Sequence, residues 1–261
     1  MVGDRRYGRQ MSESTPPRPD PDVTEVAFRS DISVELVRAA ARDSDVVWAA
    51  RVSTAGEASI DARDEDPERN VGLIRYLMRD RHGSPFEHNS MTFLISAPIF
   101  VFREFMRHRV GWSYNEESAR YRQLRPTFYV PGPERKLVQE GKPGRYDFVD
   151  GSAEQHKLVV EATEDACRQA YRAYLDMLDA GIAREVARGV LPVATYSSMY
   201  ATCNARSLMH FLGLRTKRPD STFPSFPQRE IEMVAEAMET HFATLMPIVH
   251  AAFEANGRVA P

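Results

Sequence analysis

Two cysteines in 261 residues, Cys167 and Cys203, are too few for a disulfide framework and suit a reducing cytosol. Long apolar runs are missing too: none approaches the ~18 residues of a membrane span, and no signal peptide opens the chain. A basic excess is also absent. Lys and Arg number 34 against 37 Asp and Glu, a net charge of -3. That balance argues against a general polynucleotide binder but leaves room for local basic pockets. Metal-ligand spacings are lacking as well. His82, His88 and His108 show no His-x-x-x-His pattern and have no Cys pair nearby, so no metal is expected. A cytoplasmic protein is expected, with neither membrane nor nucleic acid as partner. Its length fits one large domain that can bury enough surface to fold without a staple.

What the chain does contain is helical periodicity. Residues 1–22, rich in Pro, Ser and charge, read as a disordered tail. Met11 followed by Ser-Glu-Ser reads as a start, which makes residues 1–10 an appended leader or a mis-called start. A single domain is expected over residues 23–261. Apolar spacing and capping residues predict helices over 34–41, 44–52, 67–79, 99–109, 153–180, 183–190 and 204–214. Another runs over 228–256, kinked before Pro247. Alternation predicts strands over 91–96 and 195–203, with 121–130 extended and 132–152 a surface excursion. The fold class is α+β: a helix-rich single domain with a small antiparallel sheet.

The densest chemistry lies between Arg103 and Arg120. Arg103 and Arg107 are four apart, as are Glu104 and His108, so each pair can share a helix face. A guanidinium presents a planar fork that suits phosphate or a pyrimidine carbonyl. Beyond Gly111, the residues Ser113, Asn115, Glu116, Ser118 and Arg120 supply groups for a polar, planar ligand. An exposed, salt-bridged helix and loop would look the same by composition.

Further along, Asn204, Leu208, Phe211 and Arg215 fall on one arc of a helix, while Arg206 and His210 fall on another. Leu208 and Phe211 imply that the first arc is partly buried, so Arg215 needs an anionic partner unless it only caps the helix end. Cys203 reads as packing. Ser118 has no His or Lys base beside it in sequence and reads as a hydrogen-bond donor rather than a nucleophile. Trp48, Trp112, Phe100, Phe102 and Phe105 read as core.

Arg107-His108-Arg109 followed by Tyr-Asn-Glu-Glu-Ser-Ala-Arg resembles the signature of the flavin-dependent thymidylate synthases, an Arg-His-Arg tripeptide, seven residues, then Ser. The surroundings match as well: His82-Gly-Ser-Pro-Phe-Glu-His88 upstream, Phe128-Tyr-Val-Pro after it, then Arg184 to Pro192 and Asn204 to Arg215. One departure is that eight residues separate Arg109 from Ser118, an insertion placed near Gly111 or Trp112.

The resemblance implies reductive methylation of dUMP to dTMP without a cysteine nucleophile. 5,10-Methylenetetrahydrofolate would give the carbon, with FAD and NADPH as reductant. It implies that Glu104, Phe105, Met106 and Arg107 line the dUMP site, and that Glu116, Glu117, Ser118, Ala119 and Arg120 hold the nucleotide. Arg188 would reach it from a neighbouring subunit of a homotetramer. FAD would meet Ser53, Ser84, Arg107, His108, Arg109, Glu116, Asn204, Ala205, Arg206 and His210, with His82 a candidate for the flavin edge. Arg215 would lie against uracil as the catalytic residue. Two other classes stay open on the residues alone: a noncatalytic nucleotide- or RNA-binding module using Arg103 to Arg125, and a metal-dependent nucleotide hydrolase using His82 and His88.

Overall fold

A computed structural model describes residues 25–59, 67–142 and 145–261. The tail expected over residues 1–22 lies outside them. The centre of the molecule is built by period-two alternation. In β3 (Ser90–Pro98), Met91, Phe93, Ile95 and Ala97 are fully buried, whereas Thr92, Leu94 and Ser96 are only half-buried. β8 (Tyr196–Cys203) pairs antiparallel with β3, from Met91 opposite Cys203 to Pro98 opposite Tyr196. β2 (Ser33–Ala40) flanks β3 and β4 (Trp112–Glu116) flanks β8, giving an antiparallel sheet in the order β2-β3-β8-β4.

The apolar face of this sheet packs into one core with side chains from α1 (Asp43–Ala55), α2 (Pro67–Arg79) and α3 (Ile99–Phe105). The same core takes in α6 (Ala205–Arg215), α7 (Arg229–Leu245) and α8 (Pro247–Ala255). Each fully buried Phe or Met in it contributes roughly 1.5–3 kcal/mol of transfer free energy. The opposite face carries the Thr92–Thr202 hydroxyl pair at 2.9 Å and exposed Tyr200, Ser113 and Asn115, and nothing among the described residues seals it.

A second cluster forms under α4 (Ala153–Asp179), where Cys167, Tyr171 and Tyr174 pack on Phe128 and Ala187. Phe128 belongs to β5 (Thr127–Tyr129), which pairs in parallel with β1 (Ala27–Arg29). α4 starts at a reciprocal cap: Gln155 N donates to Ser152 Oγ at 3.2 Å and Ser152 N to Gln155 Oε1 at 2.8 Å. The one-turn helix α5 (Arg184–Ala187) and a 3-10 turn lead from it toward β8. Among the described residues no helix is long and apolar enough to cross a membrane.

Most predicted elements stand, three are corrected and one gains detail. The stretch predicted as helix over 34–41 is strand through Ala40, because half-buried Val34 and Leu36 alternate with exposed Glu35 and Val37 against β3. The 132–152 excursion contains a hairpin, β6 (Val138–Lys142) with β7 (Arg145–Val149). Only 127–129 of the 121–130 stretch is strand, since Tyr121 N and Arg122 N turn back onto Ser118 O. The helix predicted to Arg109 ends at Phe105.

Candidate active site

The early stop of α3 creates the site. The single Tyr114 hydroxyl hydrogen is shared between His108 O at 2.7 Å and Phe105 O at 3.1 Å. The Phe105 carbonyl would accept from Arg109 N if the helix continued, so β4 holds the turn open. Arg107 N and His108 N close instead onto Glu104 O and Phe105 O. Gly111 then takes φ +70°, and a Cβ there would come 2.1 Å from Ser207 Oγ. Ser207 Oγ in turn donates to Val110 O at 2.9 Å. Val110 is 89% exposed. Val110 and Gly111 thus form an outward turn in the stretch where the additional residue of the signature is expected.

Arg215, at the end of α6, reaches back to that turn. Its Nη1 donates to Glu104 Oε2 at 2.7 Å and its Nε to His108 Nε2 at 3.0 Å. The expected anionic partner is therefore Glu104, and the guanidinium does more than cap its helix. Glu104 and His108 converge even though the helix expected to bring them together is absent at His108. Below them Phe105 stacks on Phe211 at 4.7 Å, with the His108 ring edge-on to Phe211 at 4.9 Å. Burial lowers the His108 pKa to about 4, helped by Arg215 and His210, so the ring is neutral at physiological pH and accepts at Nε2. Burial pushes the Glu104 carboxyl up against the opposing pull of Arg215.

Arg206 and His210 share a face of α6, as predicted, and open onto a cleft of about 450 Å³. Its walls include His108, Arg109, Trp112, Asn204 and Ser207. Asn204 caps α6 by accepting from Ser207 N at 2.8 Å. Ala205 is fully buried, and its N–H donates to Asn89 Oδ1. The Arg109 guanidinium has no hydrogen-bond or ion-pair partner among the described residues, so a cation faces this cleft unspent. The donor set fits part of a dinucleotide: a cation for phosphate, with ring and amide groups beside it. Ser84 is exposed on the 3-10 turn that supplies Glu87 to the cleft wall. Ser53 stands apart on α1, its hydroxyl donating to Ala50 O. His82 packs on Tyr76 and His88 on Trp48.

The remaining predicted residues gather at the other end of β4. A second cleft of about 510 Å³ on the uncovered sheet face is lined by Glu116 and Glu117 with Arg29, Arg122 and Arg125. Burial pushes the Glu116 carboxyl up, while Ser197 and the charge of Arg188 pull it down. Arg188 thus acts on Glu116 within one chain. Nearby, Arg120 Nε pairs with Glu185 at 2.9 Å, and Arg120 N donates to Ser118 Oγ. Ala119 is buried, whereas Met106 and Arg107 are exposed. Four residues of strand separate the two groups, a distance of about 13 Å.

Sequence reasoning missed Glu87, which pairs with Arg206 Nη1 at 2.5 Å, and Pro261, whose carbonyl accepts from Arg206 Nε at 2.7 Å. Glu87 sat inside the His82–His88 motif, but nothing local announced its distant partner. Cys203 is buried and its thiol is pushed far up by burial, the condition of a packing residue rather than a nucleophile. One metal-like grouping exists among the described residues, Glu239, His250 and Glu254. Arg258 Nη1 stands 2.7 Å from Glu239 there, so a side-chain cation already serves those carboxylates.

The fold is α+β, with two clefts that bring arginine and carboxylate side chains together. A family profile described as thymidylate synthase complementing protein matches residues 35–248. The flavin-dependent thymidylate synthase of Streptomyces coelicolor is 71% identical over 240 residues, covering 92% of this chain and 98% of the relative. That of Tropheryma whipplei is 57% identical over 239 residues, covering 92% and 99%. Among solved structures, a UMP/dUMP methylase, PolB from Streptomyces cacaoi, bound with 5-Br dUMP, superposes with a TM-score of 0.85 at 62% identity. The match covers 90% of this chain and 100% of that one. The chain belongs to this family, the flavin-dependent thymidylate synthases, and is an enzyme.

Proposed function

We propose that the chain converts dUMP to dTMP, taking a methylene from 5,10-methylenetetrahydrofolate and reducing equivalents from NADPH through bound FAD. The observation that carries this reading is Arg215. A half-buried guanidinium is anchored at two points beside a cation-lined cleft, with donors left over for a ligand. Those donors stabilise the ionised uracil imide, which raises electron density at the ring carbon that attacks the methylene. Reduced flavin, when bound, supplies the hydride that completes the methyl group. Arg109, Asn204, Arg206 and His210 hold it in the cleft beside His108. The polar groups around Glu116, Ser118 and Arg120 hold the nucleotide together with Arg188.

The two groups of predicted dUMP residues stand at opposite ends of β4, about 13 Å apart along the strand. Their separation supports sites completed between subunits of a homotetramer, with the uncovered sheet face available for the contact.

The test measures flavin release on denaturation, then dTMP formation from dUMP, 5,10-methylenetetrahydrofolate and NADPH. Yellow fluorescent cofactor and methylated product are expected. Arg215→Lys should keep flavin and NADPH oxidation but lose about a hundredfold in methyl transfer, the scale of removing one preorganised donor. A protein that takes up no flavin, or an Arg215→Lys variant with normal turnover, sinks the reading. The likeness to a methylase of both UMP and dUMP favours a second substrate, so the same assay is run with UMP.

A further inference from the structure

We infer that Glu104 and His108 are positioning residues for Arg215, gripping its guanidinium from two edges so that its remaining donors face the pyrimidine. The inference rests on the reading of Arg215 given above, and concerns what makes that arginine effective.

An arginine side chain is long, and fixing it costs up to ~2 kcal/mol of rotamer freedom. A loosely held guanidinium would lose that freedom on each turnover. Here it is already lost. Nε is taken by His108 Nε2 at 3.0 Å and Nη1 by Glu104 Oε2 at 2.7 Å. Two acceptors on different edges of a planar group fix both its plane and its rotation. Of the five N–H donors of a guanidinium, two are used, which leaves Nη2 and one hydrogen of Nη1. A rigid partial fork of that kind matches the edge of an imide better than a mobile cation does.

Each partner is itself held. Glu104 sits in the last turn of α3, directly before Phe105, which is anchored by stacking on Phe211. The His108 ring lies edge-on to the same Phe211, and its main-chain carbonyl accepts from Tyr114. One aromatic side chain of α6 therefore sets both acceptors relative to Arg215, one turn further along the same helix. His108 can accept from Nε only while neutral; a protonated ring would set donor against donor. Because His108 also lines the cleft whose residues would hold flavin, it ties the arginine's orientation to that cleft.

A plain structural tie between α3 and α6 would contain the same bonds, so the test must separate position from anchorage. Glu104→Gln keeps an oxygen at the same reach but removes the charge. Glu104→Asp keeps the charge but withdraws the oxygen by one methylene. Both are made in the full-length, flavin-loaded enzyme, alone and with Arg215→Ala. For each we measure flavin occupancy, NADPH oxidation, and kcat and KM for dUMP.

With flavin occupancy unchanged, Glu104→Asp should lose up to about a hundredfold in kcat, the penalty that ~1 Å of misplacement can carry, and Glu104→Gln, which keeps an oxygen at the same reach, should lose less than Glu104→Asp. The fall in kcat should exceed any rise in KM, as expected for an interaction that matters most in the transition state. Neither change should matter once Arg215 is Ala, since there is nothing left to position. Three results overturn the inference: Glu104→Asp as active as wild type, Glu104→Asp more active than Glu104→Gln, or a loss that persists in the Arg215→Ala background. A wild-type enzyme that forms no dTMP would instead sink the underlying reading, so the two failures are distinct.

Discussion

Cys203 shows how burial decides chemistry at a single residue. It closes the register of two strand pairs, opposite Met91 of β3 and Trp112 of β4, and is 2% exposed. A thiol so placed is costly to ionise, and no pyrimidine can approach it. Cys203→Ala should keep dTMP formation while losing on the order of 1 kcal/mol of stability from the vacated volume. Paired turnover and melting measurements check this; turnover lost with flavin and fold intact would revive a thiolate mechanism. His108 teaches the complementary lesson. Its pKa of about 4 makes it a fixed acceptor across the physiological range rather than a titrating switch.

At the scale of elements, the start of α6 does two jobs. The Asn204 side chain caps the helix, and the same turn presents Arg206 to the cleft and Ser207 to the Val110 carbonyl. Asn204→Ala should cost about 1 kcal/mol of stability and weaken flavin retention. Asn204→Asp should restore the cap, and with it the melting temperature. Equal flavin affinity in Asn204→Ala and wild type would show that the cap and the cleft are independent.

How much of this was legible in sequence depended on whether the cue was local. The boundaries of α2 were read residue for residue because a clean apolar stripe ran from a proline start. The 34–41 strand was missed because Glu, Leu, Arg and Ala favour helix in isolation, and only pairing with β3 overrides them. β4 hid behind its own chemistry: Trp112-Ser-Tyr-Asn-Glu alternates half-buried and exposed, yet its polar residues invited a ligand-loop reading. The shared face of Arg206 and His210 was legible from helical period alone. That Arg215 would meet Glu104, 111 positions away, was not, since only the folded sheet brings α3 and α6 together.

Over the whole molecule, the C-terminal segment locks the helical layer. Buried Arg258 joins Glu239 of α7 to Thr216, the residue after Arg215, and His250 of α8 bonds the same Glu239. Burial raises the Glu239 pKa, but hydrogen bonds from His250 and Arg258 outweigh it and hold the value at about 2. Because the folded pKa lies below the ordinary 4.5, this contribution is full above that pH and fades as pH falls toward about 2. Melting temperature should therefore drop through that window, and Glu239→Gln should flatten the drop while lowering stability at neutral pH. An unchanged acid profile would place the sensitivity elsewhere.

The arginine and carboxylate groups at the two ends of β4 also bear on genetics. An allele damaged at Arg215 and one damaged at Arg120 fail in different halves of the proposed shared site. A cell expressing both regains working sites wherever a sound end of one subunit meets a sound end of another. Two alleles damaged at the same end regain none. On that proposal, loss-of-function alleles at these two ends should sort into two complementation groups, divided by the length of one five-residue strand.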